Sequence, residues 1–330
     1  MSRPRMPRRD FLKTIITTAA AVKSVSAGNF IGNGPKPGFD AKKLPTVVLG
    51  KTGAVVPRIG IGLGSRFCAV ESLDRAIEIL HAALDRGFYY WDTAYNYRNK
   101  NIVSEERLGM VLKDRRKEVF LATKFEARTY DGVMRELEGS LERLQTDHLD
   151  IYQIHSLESL KDLDELGAPG GALDALRKIR DQKIARFIGF SGHLDAGAMA
   201  EAARRCDLDT MLIALNHYHE RKGDFEGGAI PAAAERNMGV MIIKAIRPRE
   251  TVKDIAAEDL VRYALSLPLV HSAVVGTDSV EVVRRNAELL KDFRPLAPSE
   301  MKALAVKIEP FMAGNHSPWM QSGYHDGEVS

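Results

Sequence analysis

The sequence predicts a closed (β/α)8 TIM barrel with an N-terminal hairpin and a C-terminal helix and tail. From Val47 onward, eight apolar runs typical of strands alternate with eight segments of helical periodicity, within a chain of 330 residues. The strand segments lack a clean alternation of apolar and polar residues, as expected when both faces of a parallel sheet are buried. Eight such units in one domain favour a closed barrel over an open doubly wound sheet.

The first barrel strand gives a second reason to exclude the open sheet. It ends in Gly60, Gly62 and Gly64, which follow a hairpin with its turn at residues 51–53. An open nucleotide-binding sheet usually carries a G-x-G-x-x-G motif, whose third glycine opens a helix. We expect no glycine to open a helix here, so the barrel is the better prediction.

Local signals place the remaining elements in order. Ser72 and Ser104 are the expected N-caps of the first two helices, and Gly87 ends the first. The remaining strands are predicted at 88–94, 118–125, 149–156, 184–193, 210–219, 239–246 and 270–277. The helices are predicted at 72–87, 104–114, 130–145, 171–182, 196–205, 228–237, 258–267, 280–292 and 298–309.

Composition sets the broad class of protein. The chain is 45% hydrophobic and 28% charged with a net charge of +3, which is ordinary for a soluble globular enzyme. The sequence shows no basic face for nucleic acid, so we expect no nucleic-acid partner. It also lacks a run of ~20 uncharged apolar residues, so we do not expect the protein to be an integral membrane protein. Cys68 and Cys206 are expected as free, buried thiols, although the sequence leaves one disulfide between them open.

The N-terminal segment has the pattern of an export signal. Arg8 and Arg9 precede a short run of Ile, Thr, Ala and Val that closes on small residues suited to signal peptidase. This resembles a twin-arginine (Tat) signal, which directs folded proteins across a membrane; a disordered basic tail is the alternative. We therefore predict a signal peptide at 1–27, a linker at 28–44 and the barrel domain at 45–330. The expected location is periplasmic or otherwise extracytoplasmic, with the twin-arginine export machinery as a partner.

Polar residues cluster where the predicted strands end, which is where barrel enzymes carry their chemistry. They are Asp92, with Tyr97 in the loop beyond, Lys124, His155, Ser191, His193, Asn216, Lys244 and Thr277. Each alone has an ordinary structural role, such as capping a turn or reaching toward water. Together, an acid, a phenol, an amine and an imidazole after strands two, three and four suit a single task.

The task is proton donation to a carbonyl oxygen. A phenol has a pKa of about 10 and needs acidification to donate near neutral pH, which an adjacent ammonium provides. Lys124 is expected to acidify Tyr97, and Asp92 to keep Lys124 charged. A neutral His155 imidazole is expected to hydrogen-bond the substrate oxygen and orient it.

The ordered motifs resemble the signatures of the aldo-keto reductases. They are LGKTGAVVPRIGIGLG, WDTAYNY followed by SEERLG, VFLATKF, DIYQIHS and IARFIGFSGH, and the resemblance covers residues 49–290. It implies reduction of a small-molecule aldehyde or ketone to an alcohol (EC class 1.1.1), with Tyr97 as general acid and Tyr95 as a structural neighbour. The residues that it makes catalytic are Asp92, Tyr97, Lys124 and His155.

The same resemblance implies an NADP(H) cofactor bound extended across the barrel mouth, and NAD(H) stays open. The residues expected to bind it are Ser65, Asp92, Ser191, Asn216, Lys244, Gly276 and Asn286. Where the family usually has an asparagine, a glutamine, an aromatic residue and two basic residues, this chain has Gly192, Leu215, Ile243, Gly276 and Val282. The aromatic residue usually stacks on the nicotinamide, and the basic residues usually hold the 2′-phosphate. Arg284 and Arg285 lie close by in the sequence as alternative basic contacts.

Two other functions stay open on the sequence. One is a non-catalytic barrel that binds nicotinamide cofactor as a sensor or partner subunit, which the altered nicotinamide contacts favour. The other is a metal-dependent barrel hydrolase, because His217 and His219 share one strand face, with His155 and His193 on nearby strand ends.

The tail from Arg294 onward begins with the predicted helix at 298–309. In the family that the chain resembles, this segment often folds over the barrel mouth and shapes substrate choice. Trp319 and Tyr324 are the residues expected to do so here, and a loosely ordered polar tail is the alternative.

Overall fold

A closed barrel of eight parallel strands forms the centre of the molecule. The computed structural model describes residues 38–214, 225–247, 252, 254–313 and 326. The barrel strands are β1 (Ile59–Gly62), β2 (Tyr90–Asp92), β3 (Phe120–Phe125), β4 (Leu149–Ile154), β5 (Ala185–Gly192), β6 (Thr210–Ala214), β7 (Gly239–Ile243) and β8 (Ser272–Gly276). Each strand pairs with its neighbours in chain order and β8 pairs with β1, which confirms the predicted (β/α)8 barrel.

Helices follow the strands and cover the outside of the barrel. They are α1 (Leu73–Asp85), α2 (Ser104–Arg115), α3 (Tyr130–Arg143), α4 (Ala172–Asp181), α5 (Ala196–Arg205), α6 (Ile230–Glu235), α7 (Ala257–Ser266), α8 (Val280–Lys291) and the C-terminal α9 (Pro298–Ala313). In α1, Ala76, Ile79 and Ala83 are buried at the spacing of a single helix face. The predicted cap of α1 is confirmed, because the Ser72 side chain accepts a hydrogen bond from the Arg75 amide.

Some local elements differ from the prediction. Ser104 begins α2 but is not its N-cap, because its hydroxyl donates to the Leu63 carbonyl at 2.7 Å and accepts from the Thr93 hydroxyl at 2.9 Å. Other elements are too short to show a hydrophobic period and escape sequence analysis. They are the helices Ser65–Cys68 and Leu160–Leu166, the 3-10 turn Arg116–Glu118, the π-helix Phe225–Ala229 and the paired strands Arg98–Asn99 and Ile102–Val103.

The interior of the barrel is filled by side chains. The Tyr90 ring of β2 is fully buried and packs over Gly60 of β1, where a Cβ atom would lie 2.6 Å from the ring carbon Cδ1. The Tyr90 hydroxyl donates to the Met241 sulfur at 2.9 Å. Gly60 therefore makes room for a core ring.

The N-terminal hairpin covers the end of the barrel at which the strands begin. Its antiparallel strands are Thr46–Val48 and Val55–Pro57, and the 3-10 turn between them is Gly50–Thr52. The Tyr89 hydroxyl, just ahead of β2, donates to the Val55 carbonyl at 2.9 Å. Phe39 stacks on the Tyr89 ring with the centroids 5.1 Å apart. Residues 38–44, which the sequence analysis places in the linker, thus pack on this end, and the compact unit that holds the barrel begins at Gly38.

Part of the predicted organisation lies outside the described residues. This part comprises the signal peptide at 1–27, residues 28–37 of the linker, Leu215, Asn216, His217, His219, Trp319 and Tyr324. Among the described helices, none is long and apolar enough to cross a membrane. Cys68 and Cys206 are buried, free thiols, as predicted.

Candidate active site

Four side chains from three neighbouring strands and one loop meet at the carboxyl end of the barrel. Asp92 is the last residue of β2, Lys124 lies one residue before the end of β3, and His155 directly follows β4. Tyr97 lies in the loop after β2. The structure thus brings together the four residues that the sequence predicts as the catalytic set, and their catalytic roles stay a prediction.

Lys124 stands at the centre of this group. Its ammonium donates to Asp92 Oδ1 at 2.5 Å, to the Thr93 carbonyl at 2.7 Å and to the Tyr97 hydroxyl oxygen at 3.2 Å. The Lys124 side chain is fully buried. A buried ammonium is stable only when such acceptors and a counter-charge surround it.

Asp92 supplies the counter-charge. Burial raises the pKa of the Asp92 carboxyl, and the charge and hydrogen bond of Lys124 act in the opposite direction. The Gln153 side-chain amide, one residue before the end of β4, donates to Asp92 Oδ2 at 3.3 Å. Both carboxylate oxygens are therefore engaged. Gln153 was not predicted as a site residue, because a single amide inside an apolar strand carries no sequence signal.

Backbone contacts and one glycine set the position of the Tyr97 phenol. The Ser104 amide donates to the Tyr97 carbonyl at 3.0 Å, which closes the loop between β2 and α2. The ring lies against Gly64, where a Cβ atom would come within 3.1 Å of the ring carbon Cε2. Lys124 Nζ lies 4.7 Å from the ring centroid. The loop therefore holds the phenol over the ammonium.

The phenol and the imidazole converge on a fifth residue, Asp326. The Tyr97 hydroxyl donates to Asp326 Oδ2 at 2.9 Å, and His155 Nε2 lies 3.0 Å from the same oxygen. His193 Nε2 lies 3.6 Å from Oδ2, and the Lys244 ammonium donates to Oδ1. Asp326 is buried, which raises its pKa, but Lys244 and the two histidines hold the pKa of this carboxyl well below its ordinary value.

Asp326 is the site residue that sequence reasoning missed. It lies beyond α9, in a tail whose sequence shows neither strand nor helix periodicity, so no spacing rule connects it to the ends of the strands. Its backbone carbonyl also accepts a hydrogen bond from the Asn96 side-chain amide at 3.2 Å. The prediction that the tail shapes the site named Trp319 and Tyr324, which lie outside the described residues.

The two histidines of the site both face the Asp326 carboxylate. Burial lowers the pKa of His193 to about 3. His155 Nε2 faces a carboxylate, which can only accept, and His155 Nδ1 is buried with no hydrogen-bond partner among the described residues. The proton of a neutral His155 therefore lies on Nε2, which points at the carboxylate.

Two further predictions concern residues beside the site. The Arg143 guanidinium lies over the Tyr95 ring, 4.4 Å from its centroid, which agrees with a structural role for Tyr95. No group of three or more His, Cys, Asp or Glu side chains suited to hold a metal ion occurs in the described part of the chain. His217 and His219, on which the hydrolase alternative depends, fall outside it.

Comparison with known proteins identifies the family. A model of the aldo/keto reductase family matches residues 58–248, which is more than half of the chain and includes β1 to β7. The chain belongs to the aldo/keto reductase family. The protein is therefore an oxidoreductase of this family.

Relatives and solved structures agree with this membership. The uncharacterized oxidoreductase YqkF of Bacillus subtilis (strain 168) is 23% identical over 293 residues, covering 74% of this chain and 90% of the relative. The aldo-keto reductase AKR11C1 from Bacillus halodurans, in its holo form, superposes with a TM-score of 0.66 at 21% identity, covering 81% of this chain and 95% of that one. An aldo/keto reductase from Klebsiella pneumoniae in complex with NADP and acetate has a TM-score of 0.65 at 24% identity, covering 80% and 95%. At these identities the superpositions show the shared fold.

This aldo-keto reductase has a cavity of about 290 Å³ beside the four residues predicted to be catalytic, at the ends of β7, β8 and β1. Four of the predicted cofactor residues line it, namely Ser65, Asp92, Lys244 and Gly276. Arg66 and Arg247 add two guanidinium groups to its wall, and Ile243 adds an aliphatic side chain, the departure from the family's usual aromatic residue that the sequence already shows.

The other predicted cofactor residues are not among those that line the cavity. The Ser191 hydroxyl accepts from the Ser156 amide at 3.0 Å and donates to the Ile154 carbonyl at 3.3 Å, so it is engaged within the barrel wall. Asn286 is buried on α8, and Asn216 lies outside the described residues. Their cofactor contacts stay predictions. The alternative basic contacts, Arg284 and Arg285, pair with Glu281 and Glu258 on the surface.

Proposed function

We propose that this aldo-keto reductase reduces an aldehyde or a ketone to an alcohol with NADP(H), using Tyr97 as the general acid. The observation that carries the proposal is the position of the Tyr97 hydroxyl, which accepts from the buried Lys124 ammonium and donates to an oxygen shared with His155. A phenol that receives a hydrogen bond from an ammonium is a stronger acid, because the cation favours the phenolate. The arrangement supports proton transfer to a carbonyl oxygen at that place.

The roles of the other residues follow from their contacts. Asp92 keeps the buried Lys124 protonated, because the carboxylate lies 2.5 Å from the ammonium. His155 donates through Nε2 to the carbonyl oxygen and orients it next to the Tyr97 hydroxyl. When bound, the reduced nicotinamide supplies the hydride that the carbonyl carbon accepts.

The cavity is suited to a dinucleotide of this kind. A dinucleotide carries negatively charged phosphates, and the guanidinium groups of Arg66 and Arg247 lie in the wall of the cavity, although Arg66 also pairs with Asp278 at 2.6 Å. Gly62 lines the same wall, and a Cβ atom there would lie 3.2 Å from the Gly276 amide, so a side chain at this position would crowd β8. The preference for NADP(H) is supported by the Klebsiella pneumoniae neighbour, which is in complex with NADP. NAD(H) is the alternative, because Gly276 and Val282 stand where basic residues were expected.

The proposal also includes export through the twin-arginine route to the periplasm or another extracytoplasmic compartment. It is supported by the paired Arg8 and Arg9, the apolar run and the small residues that close it. These residues lie outside the described part of the chain, so the support comes from sequence alone.

Turnover by the Tyr97→Phe variant tests the chemistry. We expect its kcat on benzaldehyde with NADPH to fall by about 10²–10⁴-fold, while its affinity for NADPH, measured by fluorescence titration, is retained. The matched control is Tyr95→Phe, because Tyr95 contacts Arg143 and not the reacting position. Wild-type turnover by Tyr97→Phe would remove Tyr97 as the acid. Binding of NADPH without any turnover by the wild type would favour the sensor or partner-subunit alternative.

A further inference from the structure

The Asp326 carboxylate lies where the proposed function places a substrate. Its Oδ2 accepts from Tyr97 Oη and lies 3.0 Å from His155 Nε2, and these are the two donors proposed for the carbonyl oxygen. One position cannot hold two oxygens, so Asp326 has to leave before a carbonyl compound can react. Asp326 Oδ2 therefore stands in for the carbonyl oxygen of a substrate.

The second oxygen of this carboxylate has a donor of its own. Lys244, directly after β7, donates from its ammonium to Asp326 Oδ1. The Lys244 side chain is only 13% exposed, and its backbone has a φ of 64°, a conformation that residues other than glycine rarely adopt. A simple aldehyde or ketone has one oxygen, which the Tyr97 and His155 pair already takes. The site therefore offers a cationic donor that such a substrate does not use.

Charge balance points in the same direction. Lys124 is paired with Asp92, and the pairing of Lys244 with Asp326 adds no net charge to the site. If a neutral carbonyl compound displaces Asp326, the largely buried Lys244 side chain loses this carboxylate as one of its partners, and losing an anionic partner is costly for a charge with little access to water. A substrate that brings its own carboxylate replaces the lost one.

The spacing of the two oxygens indicates which acid fits. The oxygens of a carboxylate share one carbon, whereas the carbonyl oxygen of a 2-oxo acid and one of its carboxylate oxygens lie on adjacent carbons. This pair can lie on the same side of the molecule and spans a slightly larger distance. The Lys244 ammonium would have to shift only by that difference, whereas an acid group several carbons away would require a much larger shift to meet both donors.

We propose that Lys244 is a specificity-determining residue that binds the carboxylate of a 2-oxo acid, whose carbonyl oxygen is held by Tyr97 and His155 in the place that Asp326 now occupies. The inference rests on the proposed reductase function. The carbonyl carbon accepts a hydride from the reduced nicotinamide, which forms its new C–H bond. The π electron pair moves to the oxygen, which takes the Tyr97 proton. The product is a 2-hydroxy acid with oxidised nicotinamide, and solvent returns a proton to Tyr97.

The first test compares two substrates of the same shape and different charge. Phenylglyoxylate is a 2-oxo acid, and phenylglyoxylamide is its neutral counterpart. With saturating NADPH, we expect kcat/KM of the wild type to favour the acid by about tenfold or more. In Lys244→Met we expect the ratio of acid to amide to fall by about the same factor. The control Lys113→Met, which removes an exposed lysine on α2, keeps the wild-type ratio.

The second test measures binding without turnover. Benzoate is a carboxylate that cannot be reduced by this route, and calorimetric titration reports its affinity for the NADP⁺ complex directly. We expect Asp326→Asn to bind benzoate several-fold more tightly than the wild type, because a neutral amide competes less well for Lys244. The double variant Asp326→Asn, Lys244→Met should lose this gain.

The outcomes separate this inference from the proposed function. Reduction of benzaldehyde with an acid-to-amide ratio that Lys244→Met leaves unchanged would overturn the role of Lys244 and leave the reductase standing. A rise in the Kd for NADPH in Lys244→Met, with the acid-to-amide ratio of kcat/KM unchanged, would show that Lys244 binds the cofactor and not the substrate. If no carbonyl compound is reduced, the proposed function fails. The benzoate titration then still tests the carboxylate site, which equal benzoate affinity in the wild type and Asp326→Asn would overturn.

Discussion

The Tyr97 hydroxyl connects the buried ion pair to the cavity. It accepts from Lys124 and donates to Asp326, so its single proton faces the place proposed for the substrate oxygen. The Lys124 ammonium also donates to the Thr93 carbonyl, which fixes its direction toward the phenol. Small displacements of Lys124 would therefore change both the acidity and the position of the phenol.

Lys124→Met should act on the pH dependence of turnover as well as on its size. Without the ammonium the phenol is a weaker acid, so we expect kcat to fall by about 10²–10⁴-fold. The descending limb of the pH profile, where the acid loses its proton, should move to higher pH. Steady-state kinetics between pH 5 and pH 10 would measure both effects.

The control for this variant is Lys113→Met, which removes an exposed lysine from α2. A profile of unchanged shape in Lys124→Met would contradict the idea that Lys124 acidifies Tyr97, even if turnover fell. Loss of fold is a separate matter, because Asp92 would keep a buried carboxylate without its cation. A circular dichroism spectrum like that of the wild type would show that the variant is folded.

Among single residues, those that lie near the ends of the barrel strands could be predicted from the sequence. Asp92, Lys124 and His155 each lie at or next to the end of a predicted strand, and the ends of parallel strands meet in a barrel. Gln153 and Asp326 could not be predicted. The first is a single amide inside the predicted strand 149–156, although the observed β4 ends one residue after it. The second reaches the site from a tail that no periodic element connects to it.

Between elements, a buried network ties α2, α3 and β3 together behind the site. Glu105 of α2 is fully buried and accepts from Arg143 of α3 at 2.6 and 2.8 Å. It also accepts from the Thr123 hydroxyl of β3 at 2.7 Å. The same Arg143 guanidinium lies over the Tyr95 ring, in the loop that leads to Tyr97. The two helices and the loop that carries Tyr97 are thus held by one set of contacts.

Arg143→Met should destabilise the fold strongly. It leaves the Glu105 carboxylate buried without its cation, which typically costs about 3–5 kcal/mol of unfolding free energy. Urea denaturation followed by circular dichroism would measure the loss. Arg284→Met is the matched control, because Arg284 pairs with Glu281 on the surface and both side chains are more than half exposed.

We expect no measurable change in the control, since an exposed pair is screened by water. Equal shifts of the urea midpoint in the two variants would contradict the buried-network interpretation. A restored midpoint in the double variant Glu105→Gln, Arg143→Met would support it, because the uncompensated charge is then removed.

Long periodic elements could be predicted, and short ones could not. The segment 72–87 shows a clear apolar face and a capping serine, and α1 follows it closely at Leu73–Asp85. Leu160–Leu166 has fewer than two full turns of signal, so its hydrophobic pattern does not rise above that of a loop. Ser104 was predicted as an N-cap because serine is common at the start of helices. Its hydroxyl instead forms tertiary hydrogen bonds with Leu63 and Thr93.

For the whole molecule, the proposed export route raises the question of the cofactor. Free NADPH is a cytoplasmic molecule, whereas the twin-arginine route carries folded proteins that can hold a ligand. We propose that the protein folds around NADP(H) before export. A ligand that binds only the native state at a thousandfold excess over its Kd stabilises that state by about 4 kcal/mol.

Replacing Arg8 and Arg9 with lysines should keep the protein in the cytoplasm. We expect the variant to lack the mature form in the extracytoplasmic fraction, because the paired arginines are the feature that the export machinery reads. Fractionation and mass spectrometry of the N-terminus would measure this. A lysine pair that left export intact would contradict the twin-arginine route, and exported wild type without bound nucleotide would contradict loading before export.

The packing of residues 38–44 has a consequence for any use of this protein on a surface. Phe39 lies on Tyr89 at the end of the barrel where the strands begin, and the residues proposed to be catalytic lie at the other end. A chemical handle placed just ahead of Gly38 would therefore attach the molecule by its closed end. An electrode or resin coated in this way would hold the protein in one orientation, with the mouth of the barrel turned toward the flowing solution.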